Sequence, residues 1–283
     1  MNIVTHPADL PKSLQLSAIS RPRVLVPTMG ALHEGHLKLV HRARELAGPE
    51  GFVVLTLFVN PTQFDKVEDL EKYPRTLEKD LELCRLHGVD LVFSPEPDSM
   101  YHADHSVSVM EASLTRQLCG ATRPGHFDGV CTVVLKLFNL IQPDAAVFGK
   151  KDYQQLAVIR RMVRDLNVPV HIEGVDTVRE ASGLALSSRN TRLTASQHAD
   201  APRIRRALLS AQQAYLDGAR SAEVLLGIAR QEIESSPKRA RIDYLELLDA
   251  GTLQEIDSVD SPAVMATAVF YGSVRLIDNI ELG

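Results

Sequence analysis

Residues 23–59 read RVLVPTMGALHEGHLKLVHRARELAGPEGFVVLTLFV, and the succession of patterns within them sets the expected fold. Residues 23–26 and 52–59 are short runs rich in Val and Leu without polar–apolar alternation, as suits strands covered on both faces in a parallel sheet. Between them Leu37, Val40 and Ala43 to Leu46 recur at three- and four-residue spacing, and Gly48-Pro49 stops the pattern. The stretch is a β-α-β unit.

The alternation continues outward. A helical pattern over 77–86 ends at His87-Gly88 and leads into a strand-like run at 89–93. Residues 131–141 read as a helix, 145–148 as a strand, 153–166 as a helix and 168–178 as a strand. The expectation is an α/β fold: a doubly wound parallel-sheet, Rossmann-like domain over 1–180. After Arg189 long helical stretches at 195–216 and 221–234 precede strand-like runs at 244–248, 264–271 and 274–277, a smaller α+β domain over 181–283. The Ser-, Gly-, Arg- and Asn-rich segment 180–194 reads as a mobile connection or lid. There is no solenoid repeat or low-complexity tract.

Composition narrows the function. With 31 basic and 36 acidic residues among 283, the global field does not gather nucleic acid or anionic membranes, so any anion site is local. Cys84, Cys119 and Cys131 are odd in number, far apart and never paired as C-x-x-C, which argues against a disulfide framework or structural zinc and favours a reducing, cytoplasmic setting. Residues 1–20 carry Asp9 and two prolines and do not read as a signal peptide. The longest apolar run, 52–59, is too short to cross a bilayer core of about 30 Å.

Chemistry concentrates first in Met29-Gly30-Ala31-Leu32-His33-Glu34-Gly35-His36, where the first strand gives way to a helix. Ligands of open α/β sheets bind at the carboxyl ends of strands, and a helix N-terminus aims N–H groups and a positive dipole end at an anion. The glycines permit close backbone approach, and His33 and His36, three apart, share a face and donate hydrogen bonds to phosphate. The bland alternative is a glycine-containing turn with two surface histidines. A zinc reading fails on spacing, since metalloprotease helices carry H-E-x-x-H. Gly120 and Gly125 have Walker A spacing, but His126-Phe127 stand where Lys and Ser or Thr belong. Neither G-x-G-x-x-G nor G-x-S-x-G occurs.

The stretch Pro27-Thr28-Met29-Gly30-x-Leu32-His33-x-Gly35-His36 resembles the His-Ile-Gly-His variant of the pantothenate synthetase family, in the nucleotidylyltransferase superfamily. Segments 58–64, 73–76, 123–127, 139–144, 149–155 and 184–190, and the ending Arg275-Leu276-Ile277-Asp278-Asn279, are similar to family segments in the family's order. The resemblance covers essentially the whole chain. It implies ATP as co-substrate with Mg²⁺, and pantoate and β-alanine as the other substrates. Met29 to His36 would form the ATP turn, with His36 as catalytic proton donor. Asn60 and Gln63 would hold pantoate, Gln63 also β-alanine, and Gln155 the pantoate hydroxyls.

Gly149, Lys150, Lys151 and Asp152 would form a second nucleotide segment, with Lys151 for phosphate and Asp152 for ribose. Lys150 departs from the family's usual Glu. Val178 would pack on the nucleotide, and Leu186, Ser187, Ser188 and Arg189 would close over the triphosphate. Arg123 to Phe127 would form a substrate gate, and Asp80 would help position Mg²⁺. The implied reaction is ligation through a pantoyl adenylate, without a covalent enzyme intermediate. A nucleotidylyltransferase acting on another small substrate is the competing enzyme reading. An RNA-binding relative of a tRNA synthetase is opposed by the acidic balance and short tail. The family also implies a homodimer, with neither nucleic acid nor membrane as partner.

Overall fold

The computed structural model describes residues 1–15, 22–65, 67–236 and 240–283; residues 16–20, part of the stretch read above for a leader, lie outside them. A six-stranded parallel sheet runs in the order β1 (Asn2–Val4), β4 (Leu91–Phe93), β3 (Phe52–Leu57), β2 (Arg23–Thr28), β5 (Ala145–Gly149), β6 (His171–Val175). The order reverses beside β2, whose neighbours are β3 and β5, in register Val24↔Val53 and Val24↔Ala145. That reversal puts the carboxyl end of β2 at the crevice where doubly wound sheets bind ligands.

The central strands lack alternation because both faces are covered: Val24, Leu25, Val26, Val53, Val54 and Leu55 are fully buried. The helix Glu34–Ala47 lays Val40, Ala43 and Ala47 on the cluster containing Val24, Val26, Val53 and Leu55, and ends at Gly48 with φ 69°. The helix Leu77–Leu86 buries Asp80 and Cys84 and leads to β4. Strand β1 is an addition to the sequence reading. Three residues carry too little pattern to be seen, and pairing with β4 makes them a strand.

A second sheet, antiparallel, runs β7 (Arg241–Asp249), β8 (Ala263–Tyr271), β9 (Val274–Leu282). Helices Arg203–Leu216 and Ala222–Glu234 contribute Leu208, Ala211, Leu225 and Ala229 to its core beside Val269, Tyr271 and Leu276. The single helical stretch expected at 195–216 is two helices, Ala195–Asp200 and Arg203–Leu216. Pro202, without an N–H and restricting the residue before it, breaks the run. The strand expected over 168–178 contracts to His171–Val175, because Val168 donates back to Val163 and closes the preceding helix.

The chain forms two compact units: residues 1–111, 123–150 and 158–176, and residues 112–122, 151–157 and 177–283. The sequence reading drew one boundary at residue 180, whereas residues 112–122 and 151–157, as well as 177–180, group with the antiparallel sheet. Side-chain bonds tie them in. Gln154 Nε2 donates to the carbonyls of Leu114 and Gln117, and the Leu118 N–H donates to Glu246. Among the described residues no helix is long and apolar enough to cross a membrane.

Candidate active site

In the first unit two turns follow adjacent strands. After β2 the chain passes through Gly30 at φ 81° and Ala31 at φ 52°, two successive left-handed residues, of which the alanine is strained. His33 caps the helix: its Nδ1 accepts from the Gly35 N–H at 3.1 Å, while the His33 N–H donates to His36 Nδ1 at 3.3 Å. This reciprocal box brings the rings to 4.1 Å between centroids. Because both Nδ1 atoms accept, each neutral ring carries its proton on Nε2, the tautomer set by the hydrogen bonds. Met29 to His36 are thus brought into one turn and the first residues of its helix.

The backbone donors of this turn are met from within. Asp80, 2% exposed, accepts from the Ala31 N–H at 2.9 Å and the Leu32 N–H at 2.8 Å, with Thr76 Oγ1 donating to the same carboxylate at 3.1 Å. The sequence reading placed Asp80 at Mg²⁺. In the structure both of its oxygens accept from the turn.

After β3, Asn60 and Gln63 open a second turn, Pro61–Gln63. Asn60 is 1% exposed and its amide is fully engaged. Nδ2 donates to Gln63 Oε1 and the Gly129 carbonyl, both at 3.1 Å, and Oδ1 accepts from Tyr101 Oη at 2.8 Å and Thr62 Oγ1 at 3.0 Å. Asn60 therefore orients Gln63. With Gln63 Oε1 accepting, its Nε2 is the donor end and faces Met29 Sδ at 3.3 Å, which joins the two turns. Gly129, in the helix His126–Ile141, allows the approach: a Cβ there would meet the Thr62 oxygen at 2.5 Å.

Arg123, expected to add positive potential to a gate, is ion-paired with Asp65 at 3.0 Å and donates to the Gln63 carbonyl at 3.2 Å. Burial raises Asp65, but the Arg123 hydrogen bond and charge outweigh it and hold the carboxyl below its ordinary 3.8. His126 Nδ1 donates to the same carbonyl at 2.7 Å while Nε2 faces Arg123 at 3.3 Å. Cys84 and Cys131 are each pushed up to about 12 by burial, so neither supplies a thiolate nucleophile.

Gly149 ends β5 in this unit and Lys150 follows it, pairing with Asp176 at 2.8 Å. In the second unit Lys151 and Asp152 are ion-paired at 3.5 Å, and Gln155 is half-buried on the helix Tyr153–Asp165. The segment expected to be a mobile connection makes several internal hydrogen bonds. Arg179 and Ala185 form an antiparallel bridge, the Leu186 N–H donates to the Val178 carbonyl, and Ser187 caps the 3₁₀ turn Ser188–Arg192 that carries Arg189.

The ending of the chain supports these pieces. Asp278 receives both guanidinium nitrogens of Arg179, at 2.6 and 2.8 Å, and Asn279 Nδ2 donates to the Lys151 carbonyl at 2.9 Å. Sequence reasoning missed the duties of Asp80, Tyr101 and Gly129. Only Gly129 left a trace, as a glycine inside an apolar helical pattern.

Comparisons with known proteins agree over the whole chain. The Pantoate-beta-alanine ligase family profile matches residues 2–281. A pantothenate synthetase of Akkermansia muciniphila is 58% identical over 92% of either chain, and one of Desulfovibrio desulfuricans is 51% identical over 100% of this chain and 99% of its own. The crystal structure of pantothenate synthetase from Thermus thermophilus is similar with a TM-score of 0.91 at 45% identity, covering 99% of both chains. The pantoate-beta-alanine ligase of Francisella tularensis, solved as a complex with beta-gamma ATP and beta-alanine, is similar with a TM-score of 0.80 at 31% identity, over 99% of this chain and 97% of its own. By fold, by the histidine and amide turns, and by matches spanning nearly every residue, the chain belongs to the pantoate–β-alanine ligase family.

Proposed function

We propose that the protein joins pantoate to β-alanine in two steps driven by ATP. Pantoate carboxylate, already ionised at neutral pH, attacks the α-phosphorus. Pyrophosphate leaves, and pantoyl adenylate remains. The neutral amine of β-alanine then attacks the acyl carbon, the C–O bond to AMP breaks, and the nitrogen's extra proton is released.

The observation that carries this reading is the pair of capped imidazoles at the carboxyl end of β2, joined through Met29 to the Gln63 amide, whose Nε2 donates to Met29 Sδ. His36 is assigned as the Nε2–H donor to charge developing at the α-phosphate, with His33 beside it. Gln63 is assigned to both pantoate and β-alanine. No nucleophile is required, which accords with buried, high-pKa thiols at Cys84 and Cys131.

The assignments in the second unit belong to the same proposal: Gln155 for the pantoate hydroxyls, Lys151 and Asp152 for phosphate and ribose, and Val178 and Leu186 to Arg189 for the nucleotide. So do the lid role of that unit, the homodimer and the cytoplasmic setting. Mg²⁺ would accompany the triphosphate and supply charge withdrawal from its oxygens, since magnesium keeps much of its hydration and needs few protein ligands.

The test is release of AMP and pyrophosphate by the purified protein with ATP and Mg²⁺, omitting pantoate and β-alanine in turn and identifying the product by mass. Pantothenate formed only with both substrates is expected; folded protein that leaves ATP intact overturns the proposal.

A further inference from the structure

We propose that Asp80 is a positioning residue of the adenylation step: its buried carboxylate pins the left-handed Gly30-Ala31 turn and thereby sets where His33 and His36 meet the triphosphate. The inference rests on reading the histidine turn as the nucleotide site.

The argument begins with the backbone. Residues with φ of 81° and 52° in succession turn two consecutive N–H groups, those of Ala31 and Leu32, toward one point. Such a concavity binds an anion, and here the anion belongs to the chain itself. Asp80 Oδ2 accepts from Ala31 and Oδ1 from Leu32, so the carboxylate grips the turn with both oxygens from a helix forty-eight residues further on.

The fit admits little slack. A side chain at position 30 would meet Asp80 Oδ2 at 3.1 Å, so the carboxylate would have to give by a few tenths of an ångström, and the φ of 81° favours glycine there in any case. Thr76, at the start of the same helix, donates to Oδ2 and fixes the carboxylate's rotation.

Two consequences follow from these bonds. The amides of Ala31 and Leu32 are held by Asp80 and are not phosphate ligands in this arrangement, so recognition at the turn passes to side chains. The pinned residues also lead directly into His33, whose backbone N–H orients the His36 ring. Displacing the turn therefore moves both imidazoles. An alanine at φ 52° does not hold such a turn unaided.

The experiment compares wild type with Asp80→Asn, which keeps the shape but turns one acceptor into a donor facing an N–H. Steady-state kinetics, circular dichroism and a Mg²⁺ titration are measured on the full chain. The expected result is a folded variant with KM for ATP raised about tenfold and kcat lowered, KM for β-alanine within about twofold of wild type, and an unchanged Mg²⁺ midpoint.

Unaltered ATP kinetics overturn the proposal, and so does a shifted Mg²⁺ midpoint with activity restored by excess Mg²⁺, which makes Asp80 a metal ligand. If Asp80→Asn does not fold, Thr76→Val and Thr76→Ser decide. A two- to threefold rise in KM for ATP with valine that serine reverses supports the role, and a valine variant equal to wild type overturns it. A wild type that makes no pantothenate would instead remove the functional reading itself.

Discussion

The turns after β2 and β3 occupy equivalent places at the ends of adjacent strands, yet they are held in opposite ways. At the first, a distant carboxylate takes two backbone N–H groups and the imidazoles present Nε2–H. At the second, a neutral amide, Asn60, is clamped by Tyr101 and Thr62 and in turn orients Gln63, while His126 carries its proton on Nδ1 to reach the Gln63 carbonyl. A charged clamp suits a turn that must hold a strained alanine, since charge-assisted bonds are about twice as strong as neutral ones. A neutral amide chain suits a turn that distinguishes the donor and acceptor ends of a side chain.

The contrast can be broken by substitution. The largest effect is expected from His36→Ala: single-turnover pyrophosphate release from ATP and pantoate should fall by about 10²–10⁴ with the fold intact. A wild-type rate would remove the histidine turn from the chemistry.

Gly129→Ala acts on the second turn from behind. Its Cβ would lie 2.5 Å from the Thr62 oxygen and 2.7 Å from the Gln63 nitrogen, so a loss of about 1–3 kcal/mol of stability is expected, with KM for pantoate raised more than KM for ATP. Chemical denaturation and steady-state kinetics check it; equal rises in both KM values would show that the two turns move as one.

Tyr101→Phe removes the O–H donated to Asn60. The expected cost is about 0.5–1.5 kcal/mol, read as a few-fold rise in KM for pantoate at constant KM for ATP. An unchanged pantoate KM would mean that Thr62 alone keeps the Asn60 amide oriented.

The smallest effect concerns Asp65. Its folded pKa lies below the ordinary 3.8, so its contribution to stability is present above that value and is lost as pH falls through the lower, folded one. Melting temperature should decline on acidification below about pH 4 more steeply in wild type than in Asp65→Asn, and parallel curves would show that the Arg123 pair adds nothing to the second turn.

Much of this was legible in the sequence. Residues 23–59 announced the β-α-β unit because unbroken Val and Leu runs and a 3.6-residue period need no tertiary information. The limits were local too: β1 is three residues long, and Pro202 split a pattern that periodicity had carried through. At the site, His33 and His36 stood out because their residue type and their place at a strand end suggest chemistry directly, and Gln63 through the family resemblance. The bonds that Asp80 and Asn60 make within the fold were not legible, and Tyr101 was not singled out, since a side chain's partner across the fold leaves no period in the chain.

The sequence by itself determined the parallel and antiparallel sheets, the histidine turn and the kind of ligand it suits, for these follow from hydrophobic spacing and from groups close together along the chain. Only the tertiary structure decided which polar groups bond to one another around these turns. Asp80 reaches Ala31 across 49 residues and Asn60 reaches Gly129 across 69, and a hydrogen bond depends on atoms brought within about 3 Å, a distance that folding alone sets.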